Sequence, residues 1–199
     1  GNQLGALFVN GDATPKTWAG QIIVASNSRI NSLVGGTLNL TGGIVKNGTT
    51  LTLGSNLSGT GGGTINISGV GISGAAANSD LIVDSVTVNE DVANTYNGPT
   101  TIRSTLGAGT GILNVGVANG LPTANGRTAI IMDDSGLGSS KLNINGTPLN
   151  PGGTNQAVAS LTGAASSTIN LGINTLTIGT ASGTTTYAGT INGSGLVGL

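Results

Sequence analysis

A four-residue pattern constrains this chain more than any other feature: a polar residue, Leu or Ile, then Asn or Thr, then Leu or Ile again. It recurs as TLNL at 37–40, TLTL at 50–53, TINI at 64–67, KLNI at 141–144, TINL at 168–171 and TLTI at 175–178. Side chains of an extended strand alternate between faces, so each unit sets two aliphatics on one side and Thr or Asn on the other. Stretches with apolar residues at i, i+3, i+4 and i+7 are nearly absent. The chain is expected to be all-β.

Glycine separates the units, at Gly42 and Gly43, Gly54, Gly61 to Gly63 and Gly179, where a tight corner or a positive φ carries no Cβ clash. The steps from Leu38 to Leu51 and from Leu51 to Ile65 are nearly equal, and the step from Ile169 to Leu176 is half as long, a spacing too regular for an ordinary sandwich. Short alternating strands with glycine corners point to a single domain over residues 1–199, a parallel β-helix that stacks rungs. At about 20 residues per rung the chain makes about ten rungs, a rod of roughly 48 Å. Aliphatics then stack rung over rung, and Asn and Thr form ladders.

Disorder is the alternative, because 37 glycines and 5 prolines make about a fifth of the chain. Against it stands a mean hydropathy of +0.23, with Leu, Ile and Val spread along the whole length.

A longer repeat contains three of the four aromatic residues. Trp18 in TWAGQI, Tyr96 in TYNG followed by Thr101 and Ile102, and Tyr187 in TYAGTI share Thr, a ring, a small or polar residue, Gly and a strand start. Rings recurring in one motif are expected to fill equivalent corners of successive coils, and a ligand-stacking platform is the alternative.

At these motifs the sequence resembles the autotransporter-associated β-strand repeats, also called passenger-associated transport repeats. The resemblance lies in ANTYNGPTTI at 93–102, in Leu121, Pro122 and Thr123 leading into 141–145, and in VASLTG at 158–163. It continues through STINLGINTLTIG at 167–179 and TTTYAGTINGSG at 184–195, and more loosely at 18–30 and 37–54. It implies a right-handed parallel β-helix on the outside of a bacterial cell, in long multi-repeat proteins, without a catalytic motif. No C-terminal membrane barrel accompanies the repeats here, so an autotransporter export route does not follow.

Charge excludes several functions. Six basic and seven acidic side chains give a formal charge of −1, which leaves no footprint for nucleic acid or an anionic membrane. There is no cysteine for disulfides or thiol chemistry and no histidine for metals or general base catalysis. No apolar run approaches the roughly 20 residues that span a bilayer, and the start at Gly1 without a leader reads as a mature or excised piece.

The acidic residues are the only catalytic raw material. Glu90 with Asp91, and Asp133 with Asp134, are neighbours that point to opposite faces of a strand, whereas Asp80 and Asp84 share parity. Neither adjacent pair makes a convergent dyad by itself, and solubilising an edge or turn is the preferred account of Asp80 and Asp84. The glycine-rich calcium nonapeptide is missing, and GTGGGT at 59–64 lacks the strand–turn–helix setting of a phosphate loop. Asn39, Asn47, Asn56, Asn66, Asn145 and Asn192 head N-x-S/T triplets that chance explains in this composition. No catalytic, cofactor or metal residue is expected.

The ends suggest assembly. GSGLVGL at 193–199 stops mid-pattern and GNQLGALFVN at 1–10 reads as its continuation; joining two copies carries the aromatic motif on from Tyr187 to Trp18 as an uninterrupted repeat. Open solenoid ends need caps or partners. Leu4, Leu7, Val9, Leu196, Val197 and Leu199 are therefore the expected contacts of end-to-end self-association. The expected function is that of a structural extracellular or cell-surface fibre, without enzymatic activity, nucleic-acid binding or membrane insertion. An adhesin binding surface glycans or host proteins through loops 119–126 or 133–140 is the alternative, and a polysaccharide-degrading β-helix is the third.

Overall fold

The computed structural model describes residues 5–55, 61–105, 109–123, 128–133, 139–179 and 185–199. Among them the chain forms strands and no helix, arranged in eight successive passes. The first pass holds β1 (Leu7–Val9), β2 (Lys16–Trp18) and β3 (Ile22–Val24). The second holds β4 (Ser28–Ser32) and β5 (Thr37–Lys46), and the third β6 (Leu51–Gly54) and β7 (Thr64–Gly74). The fourth holds β8 (Leu81–Asp84), β9 (Thr87–Glu90) and β10 (Thr95–Tyr96), and the fifth β11 (Thr100–Arg103) and β12 (Gly111–Val115). The sixth holds β13 (Ala129–Asp133), β14 (Ser140–Asn143) and β15 (Gln156–Val158). The seventh holds β16 (Ser160–Gly163), β17 (Thr168–Gly172) and β18 (Leu176–Ile178). The eighth holds β19 (Thr186–Tyr187), β20 (Thr190–Gly193) and β21 (Val197–Gly198).

Three faces result. The first sheet runs β1-β4-β6-β8-β11-β13-β16-β19, the second β2-β5-β7-β9-β12-β14-β17-β20, and the third β15-β18-β21. β3 and β10 pair with the far ends of β5 and β7, which bend out of the second sheet. Gly43 (φ +85°) and Gly69 (φ +73°) sit at those bends, in the left-handed region that a side chain disfavours. Each of these strand pairings is parallel. The protein is a parallel β-solenoid of about seven turns.

The expected ten rungs are too many. Val83 pairs with Ile102 and Met132 with Gly163, so the later of these turns is more than half as long again as the earlier. The first-sheet strands of these turns stay at 4 or 5 residues while the chain between them carries the excursions, and lengthening a surface loop costs little, about 0.6 kcal/mol per doubling. The rod is about 34 Å long at about 4.8 Å per step.

The interior follows the alternation of the sequence. In the second sheet Leu38, Ile65, Val88, Leu113, Leu142 and Ile169 pair in register, and each is buried. In the first sheet Leu51, Leu81, Thr100, Ile130 and Leu161 form an equivalent column, with one hydroxyl among the aliphatics. The buried aliphatics from Val9 to Ile178 form one cluster, and each contributes about 1.5–3 kcal/mol by leaving water.

Candidate functional site

Four of the six tetrads, TLNL, TINI, KLNI and TINL, lie in the second sheet with their Asn on the outer face. Stacking brings Asn39, Asn66, Asn89, Asn114, Asn143, Asn170 and Asn192 into one register position. Each Nδ2 donates to the Oδ1 of the Asn one pass earlier, at 2.8, 2.7, 2.7, 2.6, 2.5 and 3.2 Å in order along the chain. Asn39 ends the series by donating to Thr17 Oγ1 at 3.3 Å. The other two tetrads lie elsewhere, TLTL along β6 and TLTI along β18. TVNE at 87–90, ILNV at 112–115 and TING at 190–193 complete the ladder, and the strict Leu/Ile pattern missed them. The signal that finds them is an Asn in the third position of any strand of this length.

A shallow trough of about 600 Å³ runs over this face, from Thr17 to Asn114. Pro148 and Leu149 wall it, although they come from a later pass. Asp91 holds that 146–153 loop back across one coil: Asn150 Nδ2 donates to its Oδ1 at 2.8 Å, and Thr147 Oγ1 donates to the same oxygen. Asn150 N donates to Thr147 Oγ1 at 3.0 Å, which stiffens the loop. Gly116 lies beneath, where a Cβ would come within 2.8 Å of both Asn150 Cβ and Thr147 Oγ1.

On the first sheet, Asp84 joins three passes. Its Oδ2 accepts from Arg29 at 3.2 Å and Arg103 at 3.3 Å, and its Oδ1 accepts from Thr105 Oγ1 at 2.7 Å. Burial alone would raise its pKa, but the Thr105 hydrogen bonds and the two guanidinium groups outweigh burial and hold it below the ordinary carboxylate value. A carboxylate so engaged is a staple between coils.

Inside the solenoid lies a group whose burial the sequence did not foresee. Glu90 occupies the core position between Ile67 and Val115, fully buried, and among the described residues neither carboxylate oxygen makes a well-formed hydrogen bond, the Asn94 side chain being its polar neighbour. Burial raises its pKa to about 8. Lys46, also fully buried, donates from Nζ to the Ser79 carbonyl and stands over the Tyr96 ring. Burial lowers its pKa to about 7, against the charges of Asp80 and Glu90. Tyr96 in turn bonds Thr100 Oγ1 through its hydroxyl at 2.6 Å. Asp91, next to Glu90, faces the outer trough, as strand alternation requires.

The three repeat aromatics stand on different parts of the frame. Trp18 pairs with Leu40 on the second sheet and is 47% exposed, Tyr96 pairs with Gly74 beyond its bend and is fully buried, and Tyr187 pairs with Gly163 on the first sheet and is half-buried. The three positions of the shared motif thus lie on different strand rows. Of the expected end contacts, Leu7 is half-buried and Val9 buried in β1, whereas Leu196, Val197 and Leu199 are exposed. Leu4, Asn56, Asp134 and the side chain of Asp133 lie outside the described residues, as do most of loop 133–140 and residues 124–126 of loop 119–126. Among the described residues no three His, Cys, Asp or Glu side chains gather as metal ligands, and no helix is long and apolar enough to cross a membrane.

These features define the class: a parallel β-solenoid with an asparagine-laddered outer face. Comparison with protein families, with curated proteins and with solved structures found no match.

Proposed function

We propose that this chain is a stiff, non-catalytic element of an extracellular or bacterial cell-surface fibre, a right-handed β-helix of the autotransporter-associated repeat type that stacks end to end. The observation that carries the reading is the chemistry of the two end coils. Phe8, Trp18 and Ile23 at one end, and Ile191, Leu196, Val197 and Leu199 at the other, are exposed apolar side chains on passes whose outer strand edges have no partner among the described residues. A hollow of about 310 Å³ between Trp18, Ile22, Ile30 and Leu51 leaves the core open to one side. A further coil, in the same chain or a second copy, covers such surfaces by strand addition. The positions of Asp84 between two arginines and of Glu90 inside the core support a structural rather than a hydrolytic role for the acidic residues.

Negative-stain microscopy and sedimentation at rising concentration test the proposal. Filaments are expected, and Ile23→Asp with Leu196→Asp should return them to single rods. Discrete monomers at high concentration with both ends capped would rule end-to-end assembly out.

A further inference from the structure

We infer that the trough on the second sheet is a binding site for an uncharged linear glycan. This inference rests on the solenoid face and not on the fibre role of the ends. The trough spans four steps, about 19 Å at about 4.8 Å each. Its volume of about 600 Å³ falls within the usual range of ligand sites.

Its floor has the hydrogen-bonding character of sugar hydroxyls. Each Asn amide carries two N–H groups and an oxygen with two lone pairs; the ladder uses one of each and leaves one of each. Threonine hydroxyls at Thr37, Thr64 and Thr87 flank that row, and each both donates and accepts. The wall supplies the apolar counterpart: Leu149 is 68% exposed, yet it belongs to a loop fixed by four hydrogen bonds, to Asp91 from Thr147 and Asn150, and within itself from Asn150 N to Thr147 and from Thr147 N to the Asn150 carbonyl at 3.1 Å. An apolar group held over a polar floor suits the C–H face of a pyranose, and holding it in advance lowers the cost of ordering on binding.

Charge narrows the ligand. Among the described residues no lysine or arginine lines the trough, and the one charged group there, Asp91, is a carboxylate, so an anionic chain would be repelled. From β5 to β12 the backbone groups of the floor are bonded in the parallel ladders, so an extended peptide finds a free edge only at β2, at one end of the trough.

Isothermal titration with cellohexaose, xylohexaose and chitohexaose tests the inference, with hexagalacturonate as the charged comparison. At least one neutral hexasaccharide is expected to bind one to one, with hexagalacturonate about tenfold weaker or worse. Leu149→Ala and Thr64→Ala, both outer-face changes, should each weaken binding by about threefold to tenfold with an unchanged melting temperature. The inference is overturned by no binding of any neutral probe at millimolar concentration, by equal binding of the charged one, or by affinity indifferent to both substitutions. Side-by-side dimers abolished by the same substitutions would assign the trough to a second copy instead. Filament formation, scored on the same samples, reports the end coils separately, so failure of either proposal is seen without the other.

Discussion

Lys46 Nζ lies 4.0 Å from the centre of the Tyr96 ring, although the two residues belong to the second and fourth passes. Gly74 occupies the register position between them, and its missing side chain leaves room for the contact. A lysine and a glutamate thus share the interior of a solenoid filled largely by aliphatics.

That arrangement sets the pH dependence of stability. The folded chain keeps the Glu90 proton up to about 8, against an ordinary value of 4.5, so stability falls as pH rises through that interval. Lys46 loses its proton at about 7 rather than 10.5, so above 7 the unfolded chain binds more protons and stability recovers. The opposing slopes place this pair's least favourable contribution between about pH 7 and 8. Glu90→Met should change stability little in acid and raise it above pH 8, whereas Lys46→Met should raise it below pH 7 and lose its advantage towards 10.5. Urea unfolding across this range checks both; gains independent of pH would contradict them.

Asp84→Ala removes the acceptor shared by Arg29 and Arg103, and a loss of about 3 kcal/mol is expected. Because the folded pKa is depressed, the ionised Asp84 contributes above the ordinary carboxylate range and loses its contribution as pH falls through the folded value. Thermal melts should therefore show the difference between variant and parent narrowing in acid.

The ladder predicts a gradient. Asn89→Ala breaks amide bonds to both Asn66 and Asn114 and should cost about 2 kcal/mol, whereas Asn192→Ala breaks one exposed bond and should cost about 0.5–1 kcal/mol. Denaturant titration of the two variants distinguishes them, and equal costs would contradict the gradient.

Two glycines separate crowding from backbone strain. A Cβ on Gly74 would collide with the Lys46 carbonyl oxygen, so Gly74→Ala should cost about 3 kcal/mol or more. At Gly152, with φ +100°, an added Cβ would meet no atom of the described residues within 4 Å, so the same change should cost only about 1 kcal/mol. Melting temperatures of the two variants, compared side by side, test the difference.

Inside and outside were legible residue by residue. The alternation of TLNL and TINI places Leu38, Leu40, Ile65 and Ile67 in the core and Asn39 and Asn66 on the surface, as found. Glu90 was the exception, since its charge disguised a core position that Ile67 and Val115 on either side make plain. The trough wall was unreadable, because Asp91 and Asn150 are far apart in the chain and no local pattern links them.

What the sequence by itself determined is the inward and outward face of each short strand and the stacking of such strands in parallel. These are consequences of a two-residue period and of glycine corners, both local properties. Only the tertiary structure decided the number of turns, the union of seven asparagines in one ladder and the meeting of Lys46 with Tyr96 and Glu90. Those depend on how much chain each corner absorbs, little between Val83 and Ile102 and much more between Met132 and Gly163, a quantity that chain entropy barely constrains and that packing between coils selects.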